Sequence, residues 1–246
     1  MRTFETVTLL GFPFVKATLK EMADQLEDHV NQEEKAFVVT ANPEIAYQAD
    51  QQEEWGNLLR QKASYITADG IGVVKAARWA GKPLPERVAG FDLFMLLLQS
   101  ANDHGKSIYL TGAKEDVLER AVRVIRETFP NLTVAGYHHG YFDIEDQTVA
   151  DDIVHKQPDY LFVALGFPKQ EQFIASLYDR LEKGVCMGIG GSFDVIAGEV
   201  NRAPAIWQKL NVEWLYRILK QPSRLKRSLS LPAFVFEVLK RDRKRS

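Results

Sequence analysis

The chain has 246 residues, with 31 Lys and Arg against 33 Asp and Glu, 46% hydrophobic residues, 26% charged residues and one cysteine. This composition excludes a disordered or low-complexity protein, and a lone Cys186 excludes an intramolecular disulfide and a Cys-rich zinc site. The formal charge of −2 hides a split: residues 217–246 hold ten basic and two acidic residues, a net of +8, which leaves residues 1–216 at a net of −10. An acidic body with a basic tail points to an anionic partner for the tail: a membrane face, a nucleic acid or a phosphorylated substrate. The opening Met1-Arg-Thr-Phe-Glu-Thr lacks a basic segment followed by a sustained apolar run, and no apolar run approaches the ~20 residues of a bilayer crossing. The expected compartment is the cytosol.

Short β-branched runs alternate with segments of helical period. Strands are expected at Thr6–Leu10, Ala36–Thr40, Tyr65–Ala68, Ser107–Thr111, Leu132–Ala135, Tyr160–Leu165 and Val185–Ile189. Helices are expected near 18–32, 43–60, 70–80, 91–104, 114–128, 146–156 and 169–182, where apolar residues recur at three- and four-residue spacing. This alternation predicts an α/β fold, a mostly parallel Rossmann-like sheet with helices on both faces. The expected division is a catalytic α/β domain over 1–200 and a basic helical C-terminal appendage over 201–246.

Ligands of such sheets sit at the carboxyl ends of the strands, and five strand ends here carry glycine or proline beside a polar side chain. Asn42 is placed to cap a helix that Pro43 begins. Asp69 precedes Gly70 and Gly72, and reads either as a helix N-cap or as a general base for an incoming hydroxyl. Gly112 follows the next strand. Gln170, in Gly166-Phe-Pro-Lys-Gln-Glu, reads either as a first-turn donor of uncharged hydrogen bonds or as an exposed helical residue.

The turn Gly188-Ile-Gly190-Gly191-Ser-Phe-Asp194 fails the dinucleotide fingerprint, because Phe193 replaces the third glycine. It reads as a phosphate or diphosphate seat, or as simple tight packing. Arg87 follows a proline-rich loop that could hold its guanidinium over a phosphate, with a surface pair to Glu86 or Asp92 as the plain alternative. His138 and His139, as neighbours in a strand, are expected on opposite faces and so cannot share an ion. No D-x-D occurs to hold a divalent metal on a diphosphate, and Cys186 reads as inert core.

In the tail Arg217, Lys220, Arg224 and Arg227 recur at helical spacing, interrupted by Pro222, which predicts a kink or break. Leucines with Phe234 and Phe236 follow, before a terminal basic cluster. Exposed aromatics beside basic residues suit a membrane surface. A solvated end would leave the phenylalanines unexplained, and the acidic body would repel a duplex.

Together, Thr40-Ala-Asn-Pro-Glu, Asp69-Gly-Ile-Gly, Glu86-Arg-Val-Ala-Gly-Phe-Asp, Tyr109-Leu-Thr-Gly, Gly140-Tyr-Phe, Gly166-Phe-Pro-Lys-Gln-Glu, Gly190-Gly-Ser-Phe-Asp, Asn201-Arg-Ala-Pro and Glu213-Trp-Leu-Tyr-Arg resemble the WecG/TagA/CpsF family of bacterial glycosyltransferases along nearly the whole chain. The resemblance implies an inverting, metal- and cofactor-independent transfer of N-acetylmannosamine from UDP to the 4-hydroxyl of N-acetylglucosamine on diphospho-undecaprenol, in wall teichoic acid linkage-unit synthesis. It implies Asp69 as base, with Thr40 and Gln170 in the catalytic set and Asn42 and Arg87 holding donor or acceptor. Gly112, Gly190, Gly191 and Asp194 complete the substrate-binding set on the strand-end reading. The resemblance further implies that Arg217, Arg224 and Arg227 close over the leaving diphosphate, that the tail rests on the cytoplasmic membrane face, and that the cores can form homo-oligomers. No nucleic-acid partner is expected. The rival readings are a related transferase for another UDP-sugar, such as UDP-ManNAc uronate or UDP-glucose, and a non-catalytic sugar-nucleotide-binding membrane scaffold.

Overall fold

Ala36 and Val38 point to one side of their strand, and Phe37, Val39 and Ala41 to the other, all of them buried. The same two-sided burial recurs in Tyr160 and Phe162 against Leu161 and Val163, as expected for strands covered on both faces. The computed structural model describes residues 3–201, 203, 204, 207, 216 and 230–243. Among these the elements run β1 (Thr6–Leu9), β2 (Phe12–Val15), α1 (Leu19–Asn31), β3 (Lys35–Ala41), α2 (Pro43–Gln51), α3 (Glu53–Lys62), β4 (Tyr65–Ala68), α4 (Ile71–Trp79) and α5 (Gly90–Asp103). They continue as β5 (Ser107–Gly112), α6 (Glu115–Thr128), β6 (Thr133–His138), α7 (Gln147–Lys156), β7 (Tyr160–Ala164), α8 (Lys169–Tyr178), β8 (Gly184–Gly188), α9 (Ser192–Ile196) and α10 (Ser230–Arg243).

The eight strands form one sheet in the order β1-β2-β4-β3-β8-β7-β5-β6, parallel throughout except for the β1–β2 hairpin. One face is covered by α1, α5, α6 and α9, the other by α2, α3, α4, α7, α8 and α10. The expected α/β class and Rossmann-like sheet are therefore present. After β5 the chain moves outward to β6, whereas after β7 it returns toward β8, so the crevice between the β5 and β7 ends is a topological switch point.

Three sequence expectations are corrected. The hairpin strand β2 was not expected; its two-residue turn puts Leu10 and Gly11 at positive φ, 49° and 82°, which suits the strand twist, while Pro13 disguises the strand. The helix expected over 43–60 is two helices, broken at Gln52, whose backbone is extended. The break folds α3 onto α2 so closely that a methyl group on Gly56 would lie 2.7 Å from Ala49 O.

The third correction concerns Phe234, which the sequence reading leaves exposed. Helix α10 packs against α2 and α4. Its Phe234 is fully buried and Val238 nearly so, in the same core as Ile45, Ala46, Ala49, Val73, Ala76 and Ala77. Leu231 fills the space where Gly72 lacks a side chain, beside Pro43. At the other end Arg241 makes two 2.7 Å hydrogen bonds to the Asp50 carboxylate, and Asp242 pairs with Lys82. Phe236, in contrast, is 63% exposed, with the Lys240 ammonium over its ring. Among the described residues no helix is long and apolar enough to cross a membrane. Pro222 lies outside the described residues.

Candidate active site

The ends of β3 and β4 assemble the first cluster. Thr40 pairs in register with Thr67, and the Asp69 N–H donates to Ala41 O at 3.0 Å, so the two chains leave the sheet together. Asn42 caps α2, its Oδ1 accepting the Ile45 N–H at 2.9 Å, so a ligand would meet its amide donors. The capping position of α4 is Gly70, which puts Asp69 one residue outside the helix.

The loop carrying Arg87 is pinned on both sides of that residue. Glu86 accepts the Leu19 N–H at 2.6 Å, and the Val88 N–H donates to Ala68 O at 2.9 Å, which ties the loop to the end of β4. Arg87 is mostly buried, its Nη2 3.7 Å from the Asp92 carboxylate. The loop ends at Gly90, the first residue of α5. A methyl group there would lie 2.8 Å from Thr40 Oγ1 and 3.5 Å from Asp69 Oδ2. The hydroxyl and the carboxylate therefore converge on one side of Gly90, a buried residue that lacks a side chain to separate them. Gly90→Ala is expected to keep the fold, because α5 tolerates alanine, while pushing the Thr40 hydroxyl aside, since 3.5 Å to Asp69 Oδ2 is ordinary contact and only 2.8 Å to Thr40 Oγ1 is too short, and to lower turnover by roughly 10²-fold. Steady-state kinetics beside a melting curve checks this.

The second cluster lies at the ends of β5, β7 and β8. Gly112 has φ +126°, and a side chain there would overlap Ala164, with its Cα only 2.7 Å away. Both the backbone angle and the packing demand glycine. The Ala113 N–H donates to Ala164 O, and the Gly140 N–H to Ala113 O, which binds the β5, β6 and β7 turns into one unit. Gly190 and Gly191 precede the short α9. The Asp194 carboxylate leans back toward this turn, its Oδ2 3.3 Å from where Gly191 would carry a side chain. That carboxylate makes the turn better suited to hydroxyl or N–H donors than to a phosphate.

Gln170 is 4% exposed, which excludes the exposed-helix alternative. Its neighbour Glu171, which sequence reading did not single out, is 2% exposed, set among Trp55, Leu58, Leu59, Phe167, Pro168 and Gln172. Its signal was periodicity: it sits one turn before Ile174 on the buried stripe of α8. Burial pushes its carboxyl up to about 7, only partly offset by a hydrogen bond from Gln170. The unfolded chain ionises near 4.5, so folding carries no penalty from this group below that pH, an increasing one up to pH 7, and a constant one above. Glu171→Gln is therefore expected to match wild-type stability near pH 4 and to exceed it by about 3 kcal/mol at pH 8, read by urea denaturation at the two pH values.

His138 and His139 do not lie on opposite faces. β6 ends at His138, and the rings sit side by side with centroids 4.5 Å apart, His138 Nδ1 against His139 O and His139 Nδ1 accepting the Tyr141 N–H. Among the described residues no three His, Cys, Asp or Glu side chains cluster as metal ligands. Cys186 is fully buried, its thiol pushed up to about 12 by burial. Arg217, Arg224 and Arg227 lie outside the described residues.

Residues 7–246 match the model of the glycosyl transferase WecG/TagA/CpsF family. The chain belongs to this family. The match takes in both strand-end clusters, α10 and the segment carrying Arg217, Arg224 and Arg227. Among the similar proteins is one from Bacillus subtilis (strain 168), 42% identical over 241 residues, 97% of this chain and 93% of the relative. Another, from Staphylococcus aureus (strain MW2), is 41% identical over 240 residues, 97% of this chain and 94% of the relative. A third, from Bacillus spizizenii, is 42% identical over 241 residues. All three are named N-acetylglucosaminyldiphosphoundecaprenol N-acetyl-beta-D-mannosaminyltransferase.

Proposed function

We propose that this WecG/TagA/CpsF family member is an inverting glycosyltransferase that moves N-acetylmannosamine from UDP-ManNAc to the 4-hydroxyl of N-acetylglucosamine on diphospho-undecaprenol, in wall teichoic acid linkage-unit synthesis. The observation that carries the reading is 41–42% identity across 97% of the chain to relatives bearing that name. In this reading Asp69 takes the proton of the acceptor hydroxyl as its oxygen attacks the anomeric carbon, while the bond to UDP breaks and the electron pair leaves on the β-phosphate. Thr40, on the same side of Gly90, orients the attacking hydroxyl. Arg87, Arg217, Arg224 and Arg227 offset the charge of the departing diphosphate, the task that protein cations perform where charge develops. Asn42, Gln170 and the Gly112 turn border the donor, and Gly190, Gly191 and Asp194 receive hydroxyl or N–H donors of the nucleotide.

The acceptor is a lipid, so the protein works at the inner face of the membrane. The basic tail supplies attraction of ~1 kcal/mol per Lys or Arg near an anionic leaflet, and Phe236 beside Lys240 supplies an exposed aromatic contact. The test is UDP release from a panel of UDP-ManNAc, UDP-ManNAc uronate, UDP-GlcNAc and UDP-glucose, with and without a polyprenyl-diphosphate N-acetylglucosamine acceptor. Acceptor-dependent release from UDP-ManNAc alone is the expected result. Preference for another donor would reassign the sugar, and binding without release would support the scaffold reading.

A further inference from the structure

One oxygen of Gln170 holds two loops. Its Oε1 accepts the Gly166 N–H at 3.2 Å and the Gly190 N–H at 3.1 Å, the first following β7 and the second following β8, which are neighbours in the sheet. Two N–H donors can be received only by the carbonyl end of the carboxamide; a flipped amide would set NH2 against both. The other end of the amide selects the orientation, because Nε2 donates to Glu171 Oε1 at 2.9 Å. Room for the amide comes from Gly188, where a methyl group would lie 2.8 Å from Gln170 Cδ. Glu171 is otherwise poorly served: its Oε2 has no hydrogen-bond partner among the described residues, although it is buried. A buried carboxyl held only by the Gln170 amide and its own backbone N–H is costly to the fold.

We propose that Glu171 is a positioning residue: it sets the orientation of the Gln170 carboxamide so that Oε1 staples the Gly166 and Gly190 turns together and fixes the shape of the donor pocket. This inference rests on the transferase reading above. Glu171 acts through Gln170 and touches neither substrate nor the reacting atoms. What matters is an acceptor at Oε1, and charge is dispensable, which agrees with a carboxyl that burial keeps largely protonated below about pH 7.

Three full-length variants test it, each read by amide hydrogen exchange at Gly166 and Gly190, by melting temperature and by kinetics with UDP-ManNAc. Glu171→Gln keeps an acceptor on the same stem and is expected to retain amide protection, KM and kcat. Glu171→Leu keeps the apolar volume without an acceptor. It is expected to melt no lower than wild type, yet to exchange both amides about tenfold faster and to lose roughly 10- to 100-fold in kcat/KM, carried by KM. Gly188→Ala crowds the amide from the opposite side and is expected to reproduce those losses, which keeps the test decisive should Glu171→Leu fail to fold. Wild-type protection and KM in Glu171→Leu or Gly188→Ala, or losses in Glu171→Gln equal to those in Glu171→Leu, would overturn the proposal. If wild type releases UDP from no donor, the transferase reading fails by itself, and the amide exchange still decides whether Glu171 orients the staple.

Discussion

Asp69→Asn is expected to yield a folded protein whose transfer rate is lower by roughly 10²–10⁴, the cost of losing a general base. The substitution keeps the shape of the side chain and leaves the backbone bond from Asp69 N–H to Ala41 O untouched. The helix that follows has Gly70 as its capping residue and no side-chain cap hydrogen bond, so the substitution removes no cap. On the proposed mechanism the variant loses the ability to accept a proton beside Thr40, near Gly90. Binding of the UDP-sugar should survive, because the proposed base acts on the acceptor, so kcat should fall with little change in the donor KM. The check is turnover with lipid acceptor together with UDP-ManNAc titration by calorimetry. Wild-type turnover would remove the base assignment.

Phe234→Ala is expected to cost about 3–5 kcal/mol, the usual penalty for emptying a buried phenylalanine site. At this chain length that corresponds to a fall in melting temperature of roughly 10 °C. The reason is position: Phe234 is enclosed between α2 and α4 within the main core, and Leu231 and Val238 flank it along the same face of α10. Phe236→Ala is the control. Phe236 is 63% exposed and touches Lys240, so its loss should change stability by no more than about 0.5 kcal/mol, while weakening attachment to anionic vesicles. Calorimetric melting and vesicle sedimentation of the two variants separate the two roles. Equal melting temperatures would show that α10 contributes nothing to the core. The structure also changes the meaning of a tail truncation: removing α10 would strip cover from α2 and α4 as well as removing cations, so activity lost on truncation does not by itself report a clamp.

The sequence made β3, β4, β5, β7 and β8 legible to within a residue or so, because apolar β-branched runs ended by glycine or proline carry both the strand and its boundary. The short hairpin was hidden because its turn uses Leu10 at positive φ, a residue that gives no turn signal, and its second strand contains Pro13. The break at Gln52 was hidden because α2 and α3 each continue an acceptable helical period; their packing across Gly56 separates them. The sequence reading grouped Phe234 with Phe236 as exposed; the structure separates them, with Leu231, Phe234 and Val238 as one stripe of α10 and Phe236 off it. Whether such a stripe meets a bilayer or a core is set by the vacant groove between α2 and α4, which no local pattern encodes. In the site, Asp69, Thr40, Asn42 and Gln170 stand out as polar residues following strands, and Arg87 as a cation after the proline-rich loop that leads into α5. Gly90 does not, since it acts by having no side chain, and Glu171 is marked only by its place on the periodic buried stripe of α8.

The most direct test of the account is the structure of the lipid product formed by the purified protein from UDP-ManNAc and a short-chain polyprenyl-diphosphate N-acetylglucosamine, determined by mass spectrometry and by NMR of the new anomeric centre. The expected product carries one added N-acetylhexosamine, β-linked to the 4-oxygen of the acceptor sugar, formed by wild type and nearly absent with Asp69→Asn. An α-linked product, a different attachment position, or no lipid-linked disaccharide from the folded wild-type protein would contradict it.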